Sequence, residues 1–172
     1  MTRIFDSKGN DITPSIPDIS EMEYVCTMGG EFDETLITLS VYAENLDRDE
    51  ITKTLGVEPT TAWNPGERHL LGNGKSGKTR ITDWGKWCLK TGRNRNPVEP
   101  KIRKIFQLCT SDLNSWHTIA SKYEIWLTII AYLDNWNREL DLAPDILQLI
   151  AERQLQLKVD VYFNGDKNES EE

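Results

Sequence analysis

Leu36-Ile-Thr-Leu-Ser-Val-Tyr-Ala43 decides the fold class. Ile37, Leu39 and Val41 alternate with Thr38, Ser40 and Tyr42. In an extended chain this puts the apolar side chains on one face and the polar ones on the other, which predicts a half-buried strand. Such a strand needs a second layer over its apolar face.

The next residues supply that layer. Asp47 is a favourable N-cap, and Glu50 three residues on resembles a capping box with Asp in the Ser/Thr place. Leu46 and Ile51 sit at the positions of a hydrophobic staple. Leu55 continues the apolar stripe, and Gly56 is placed to end the helix in the left-handed conformation. Asp47, Asp49 and Glu50 read as acids favoured at a helix N-terminus rather than as a metal site.

Leu55-Gly-Val-Glu-Pro-Thr-Thr-Ala-Trp-Asn-Pro-Gly-Glu67 is then turn chemistry. Pro59 and Pro65-Gly66 keep the helix from restarting. Trp63 sets a large ring in this loop, and the ring is expected to pack back onto the domain. Glu58 and Glu67 flank it; they read as surface carboxylates, with an acid–base pair as the chemical alternative.

Residues 64–79 read as loop, and residues 79–91 as strand. In that strand Gly85, Trp87 and Leu89 share one face, and Lys86, Cys88 and Lys90 share the other. Ile102, Ile105, Phe106 and Cys109 repeat at helical spacing. Ser111-Asp112 can end that helix and cap a second, which carries Leu113, Trp116, Ile119 and Ala120. Residues 123–133 are apolar on both faces, as in a central strand. Pro144 at the first helical position opens a third helical region, with Ile146, Leu147, Leu149 and Ile150 inward. Leu155, Leu157, Val159 and Val161 alternate with Gln156, Lys158, Asp160 and Tyr162, predicting a last half-buried strand.

The order β-α-β-α-β-α-β predicts an α+β fold: a two-layer α/β sandwich, loosely ferredoxin-like, its mixed sheet carrying helices mainly on one face. The helical insertion at 98–121 departs from the simple ferredoxin-like order. Residues 1–30 read as an extended N-terminal arm with a short strand at 24–28. Residues 31–163 form a single domain, and 164–172 a disordered acidic tail.

Composition limits the function. In 172 residues, 38% hydrophobic and 28% charged side chains are globular proportions. No apolar run approaches the ~18 residues of a membrane span, and the N-terminus has no secretory h-region. Cys26, Cys88 and Cys109 are odd in number and widely spaced, which fits idle thiols in a reducing cytoplasm rather than disulfides or zinc.

Charge is unevenly placed. The net charge is −8, yet residues 68–104 hold 11 basic and 2 acidic side chains. Either this segment is an anion-binding face, or it lies against acidic neighbours that neutralise it. Trp84 and Trp87 lie within it, and aromatics among Lys and Arg have the composition of single-strand nucleic-acid platforms. Core packing of Trp87 and Trp126 is the competing reading.

Gly72-Asn-Gly-Lys-Ser-Gly-Lys-Thr79 matches the P-loop pattern. A working P-loop links a buried strand to a helix that faces the phosphates. Here too few apolar residues precede the motif, and strand-like residues follow it, so a Gly/Lys loop between two strands is expected. Neither His69 nor His117 has a partnering nucleophile, and no catalytic residue, metal ligand or cofactor is expected. The candidate binding residues are Trp63, Glu67, Arg68, Arg80, Trp84, Asp160 and Tyr162. Asp160 and Tyr162 belong to them because they project from the wet face of the last strand.

Leu46-Asp-Arg-Asp-Glu-Ile51, Leu55-Gly-Val-Glu-Pro59, Gly66-Glu67, the tryptophans 84 and 87 before an amphipathic helix, and Leu157-Lys-Val-Asp-Val-Tyr162 carry a resemblance. From 36 to 162 the chain resembles the bacterial domain-of-unknown-function family 4279. The resemblance implies a small bacterial intracellular domain and brings no activity or site residue with it. The leading functional expectation is a non-catalytic protein-interaction module of the immunity or inhibitor kind, with a protein partner. An anionic-ligand or nucleic-acid binder using residues 68–104 is the alternative, and P-loop nucleotide binding a distant third. No membrane partner is expected.

Overall fold

The computed structural model describes Lys8 and residues 29–70, 77–134 and 137–163. Apart from Lys8, Gly29 and Gly30, the expected arm with its strand at 24–28 lies outside the described residues. So do the tail at 164–172 and the core of the P-loop match at 72–76.

Among the described residues seven strands and four helices follow one another: β1 (Glu34–Ala43), α1 (Arg48–Leu55), β2 (Thr61–Trp63), β3 (Arg68–Leu70), β4 (Thr79–Ile81), β5 (Gly85–Lys90), α2 (Val98–Leu108), α3 (Leu113–Ala120), β6 (Ile125–Leu133), α4 (Pro144–Glu152) and β7 (Gln156–Phe163). Five strands form a mixed sheet in the order β2-β5-β1-β6-β7, and β3 and β4 form a separate hairpin. β1 is antiparallel to both β5 and β6, and β6 is parallel to β7. β5 and β6 therefore run the same way with β1 between them. The chain passes from one to the other through α2 and α3, the split β-α-β arrangement of ferredoxin-like sandwiches.

All four helices pack on one face. Ile37, Leu39 and Val41 of β1, Trp87 and Leu89 of β5, and Ile125, Leu127 and Ile129 of β6 share one buried cluster with Ile51, Leu55, Ile102, Ile105, Trp116, Ile119, Ile146 and Ile150 from the helices. The expected two-layer sandwich is what forms. The local signals act as read. Asp47 accepts from the amides of Asp49 and Glu50, Asp112 from those of Asn114 and Ser115, and Gly56 closes α1 at φ 70°. Glu50 does not complete a capping box; its carboxylate pairs with Lys122 instead.

Several expectations need correction. The segment around Trp63 is not all turn: residues 61–63 add an edge strand to β5. The strand expected over 79–91 is broken at residues 82–84, so its first part pairs with β3 and its second joins the main sheet. Leu147, expected inward, is 47% exposed. Leu157 and Val159 are 39% and 40% exposed, so β7 is wetter than a half-buried strand. The helix layer leaves this last strand of the sheet partly uncovered.

One buried cation latches the top of the sheet. Lys101 of α2 donates to the Thr35 carbonyl (2.7 Å), the Thr35 hydroxyl (2.7 Å) and the Asn94 carbonyl (2.9 Å). Three oxygens thus satisfy all three donors of a charged group that burial would otherwise penalise. Among the described residues no helix is long and apolar enough to cross a membrane.

Candidate functional site

The face of the sheet away from the helices carries the even-numbered side chains of β1, β5, β6 and β7. Register sets who stands beside whom. Thr38 is flanked by Lys90 and Thr128, and Thr128 by Lys158. One row below, Ser40 is flanked by Cys88 and Trp126. Thr38, Ser40, Cys88 and Thr128 are buried and form a floor of small side chains. Lys86, Lys90, Lys158, Tyr42 and Trp126 rise around them, enclosing a groove of about 240 Å³.

Aromatic rings form a ladder across one end of this face. Trp126 and Tyr42 have ring centroids 5.7 Å apart, as do Tyr42 and Trp84, and Trp84 and Trp63. His69 of β3 then stacks on Trp63 at 3.8 Å. The three contacts of the ladder are tilted or edge-on, of the kind aromatic quadrupoles favour, whereas His69 lies flat on Trp63. The Lys86 ammonium lies 5.1 Å from the Tyr42 ring centre and 5.3 Å from that of Trp63, within cation–π range of both. Trp126 is thus part of this face, not of the core; Trp87 is the fully buried one.

Local structure fixes the Trp63 end. The indole Nε1–H donates to the Trp84 carbonyl at 3.3 Å. A Cβ on Gly85 would meet Leu46 Cβ, Pro65 Cδ and the Trp63 carbonyl oxygen at 2.9 Å each, so only glycine lets β5 come this close to the Trp63 turn. Glu67 accepts from the Asn64 amide (2.7 Å) and from Arg48 (3.1 Å). Its carboxylate holds the turn together and ties it to α1.

The candidate residues therefore separate. Trp63 and Trp84 meet in the ladder. Arg80 stands opposite His69 in the hairpin and so on its ladder-side face; Arg68, one residue earlier, points the other way and donates to Thr79 Oγ1 at 3.5 Å. Asp160 and Tyr162 lie on the same open face but on β7, at the far edge: Asp160 is 3.4 Å from Lys158, and the Tyr162 ring stacks on Tyr132 at 5.5 Å. The residues not singled out from the sequence are Tyr42, Lys86, Lys90, Trp126 and Lys158. The alternation in β1, β5 and β7 already put Tyr42, Lys86, Lys90 and Lys158 on the polar faces of their strands, whereas Trp126 stood in a run apolar on both faces; what the pattern lacked was that no described helix covers this face.

The basic segment divides in the same way. Arg93 pairs with Glu34 at 2.6 Å, Arg103 pairs with Asp145, and Lys101 is buried among neutral oxygens. Arg68, Arg80, Lys86 and Lys90 make no ion pair among the described residues. Thr79 begins a strand, so the helix a P-loop requires does not follow the Gly/Lys motif.

Other chemistry-bearing groups stand elsewhere. Cys109 is in the core, its thiol pushed up to about 12 by burial. The His117 ring faces the Glu152 carbonyl at 2.9 Å. Among the described residues no three His, Cys, Asp or Glu side chains are grouped as metal ligands.

Fold and face define a class: an α+β sandwich with four helices on one side of its sheet and an open, aromatic and lysine-bearing surface on the other. The chain belongs to the family described as Domain of unknown function (DUF4279), whose model matches residues 33–164. That span takes in every strand and helix named above. No curated protein and no solved structure matches the chain significantly.

Proposed function

We propose that this chain is a non-catalytic binding module of the cytoplasm that takes single-stranded nucleic acid on its open sheet face. The observation that carries the reading is the run of half-exposed rings Trp84–Tyr42–Trp126, anchored at one end by the buried Trp63, with Lys86 over Tyr42 and Trp63. Bases stack on aromatic faces whatever their sequence, and nearby cations track the backbone. Arg80, Lys86 and Lys90 are available for that second task because no carboxylate among the described residues engages them. A protein of net charge −8 gains little from long-range attraction to a polyanion, so binding rests on this local patch and should be modest.

The test is a salt titration of a fluorescent mixed-sequence oligonucleotide. Affinity should fall linearly with salt on logarithmic axes, and the Lys86→Ala, Lys90→Ala double variant should flatten the slope by roughly 1–2. Absence of binding at low salt would remove the reading.

The second reading is a protein-interaction module of the inhibitor or immunity kind that neutralises a basic partner. Its support is a cleft of about 600 Å³ in which Glu31, Glu99, Glu139 and Asp141 surround Phe32 and Val98. Carboxylates around an apolar floor suit the stem and head of a partner's Lys or Arg. Capture of a basic protein whose binding is lost on Glu139→Lys would favour it.

A further inference from the structure

We infer that β7 is the dimer edge of this protein: two copies join their β7 strands antiparallel, making one continuous ten-stranded sheet from two sheets of five. This rests on β7 alone and is independent of what the open face binds.

β7 ends the sheet. It pairs with β6 through eight consecutive residues, and among the described residues nothing pairs with its other edge. An unpaired edge is a row of free amides and carbonyls, and proteins usually blunt it with proline, a bulge or a very short strand. Gln156–Phe163 has none of these: it is eight residues long, without proline and in unbroken register, and the charged side chains that also blunt edges are here one of each sign, Lys158 and Asp160. It is also apolar. Leu157, Val159, Val161, Tyr162 and Phe163 are 39–59% exposed.

The side chains specify the partner. In an antiparallel pair centred on Val159, Leu157 faces Val161 of the second copy, and Lys158 faces its Asp160. Both contacts occur twice, because a two-fold interface is self-complementary. Opposite charges directly across a strand pair stabilise it, and like charges do the reverse. Centring the pair on residue 158 would set Lys158 against itself, and centring it on 160 would set Asp160 against itself. Slipping by a single residue would put the two helix layers on opposite sides of the joined sheet. The Val159 register alone matches apolar with apolar and cation with anion. Within one copy Lys158 and Asp160 already lie 3.4 Å apart, so in the dimer the four charges form a compact alternating square.

The experiment is sedimentation equilibrium of the full chain over a range of concentrations, with charge-swapped variants. The wild type should approach twice its 19.8 kDa mass. Lys158→Asp and Asp160→Lys should each weaken self-association at least about tenfold, because each sets like charges opposite one another. Mixed in equal amounts, the two variants should form a heterodimer, since the all-acidic edge then meets the all-basic one. Lys158 is exposed and Asp160 half-buried, and neither lies in the core, so both variants should fold, and circular dichroism checks this. A wild type that stays monomeric at every concentration overturns the inference. So does a dimer indifferent to both swaps, which would have its interface elsewhere. A chain that dimerises only after residues 1–28 are removed also overturns it, because its own N-terminal segment would then cover the edge.

Discussion

His69 lies flat on Trp63, their ring centroids 3.8 Å apart and their planes 5° from parallel. This contact docks the β3–β4 hairpin onto the corner of the main sheet. It also explains why a tryptophan stands in a segment otherwise made of turn residues. The ring is 7% exposed, with Trp84 and Lys86 on its other neighbours.

Trp63→Ala should therefore destabilise the fold by about 3 kcal/mol or more, as large aromatic truncations do. His69→Ala should cost about 1 kcal/mol, the scale of one ring–ring contact. Urea midpoints at constant m-value measure both. An unchanged midpoint for Trp63→Ala would mean that the ring contributes to binding alone.

Lys101 gives the stability a signature at high pH. Burial holds its ammonium below the usual lysine range of 10.5. Between the folded value and 10.5 the unfolded chain carries the extra proton, so stability rises with pH across that window. Below the folded value the cost of burying the charge is fully present. Lys101→Met should flatten this rise. At neutral pH it should also destabilise by roughly 1–3 kcal/mol, because three buried hydrogen bonds are lost and the Thr35 and Asn94 carbonyls keep only the backbone amides they accept from each other. Matched pH series of thermal melts give the comparison.

Asp33 acts at the acid end. It accepts from Arg138 Nη2 at 2.7 Å, Arg138 Nε at 3.0 Å and the Asp134 amide at 2.8 Å, tying the start of β1 to the connection after β6. The Arg138 hydrogen bonds hold its carboxyl below the usual 3.8. Its contribution is complete above 3.8 and disappears as pH falls through the folded value. Asp33→Asn should cost on the order of 1–2 kcal/mol at pH 7 and nothing at strongly acid pH. An equal loss at both pH values would show that the carboxylate's charge is not what matters.

ATP with magnesium should leave the melting temperature unchanged, since only a ligand that prefers the folded state raises it. The reason is the strand that begins at Thr79 where a phosphate-facing helix would have to start. A rise of several degrees, lost in Lys78→Ala, would restore the nucleotide reading.

The sequence by itself determined the elements and their faces. Alternation in β1 and β7, the Asp47 and Asp112 caps, the Gly56 stop and Pro144 at a helix start are short-range effects, set by backbone geometry and by side chains a few residues apart. The same rules put Lys86, Cys88 and Lys90 on one side of β5. What they could not decide was which side the helices would cover, and how far. Coverage depends on where four helices settle over five strands, a matter of long-range packing. Trp126 shows the consequence. Its apolar neighbours in β6 made it look like core, yet the register with Ser40 puts it on the uncovered face. Leu157 and Val159 show the converse: their pattern faces the helix layer, but they stand on the last strand, where that layer leaves them partly exposed. The aromatic ladder has the same origin. Its rings come from residues 42, 63, 84 and 126, and only strand pairing brings together side chains so far apart in the chain.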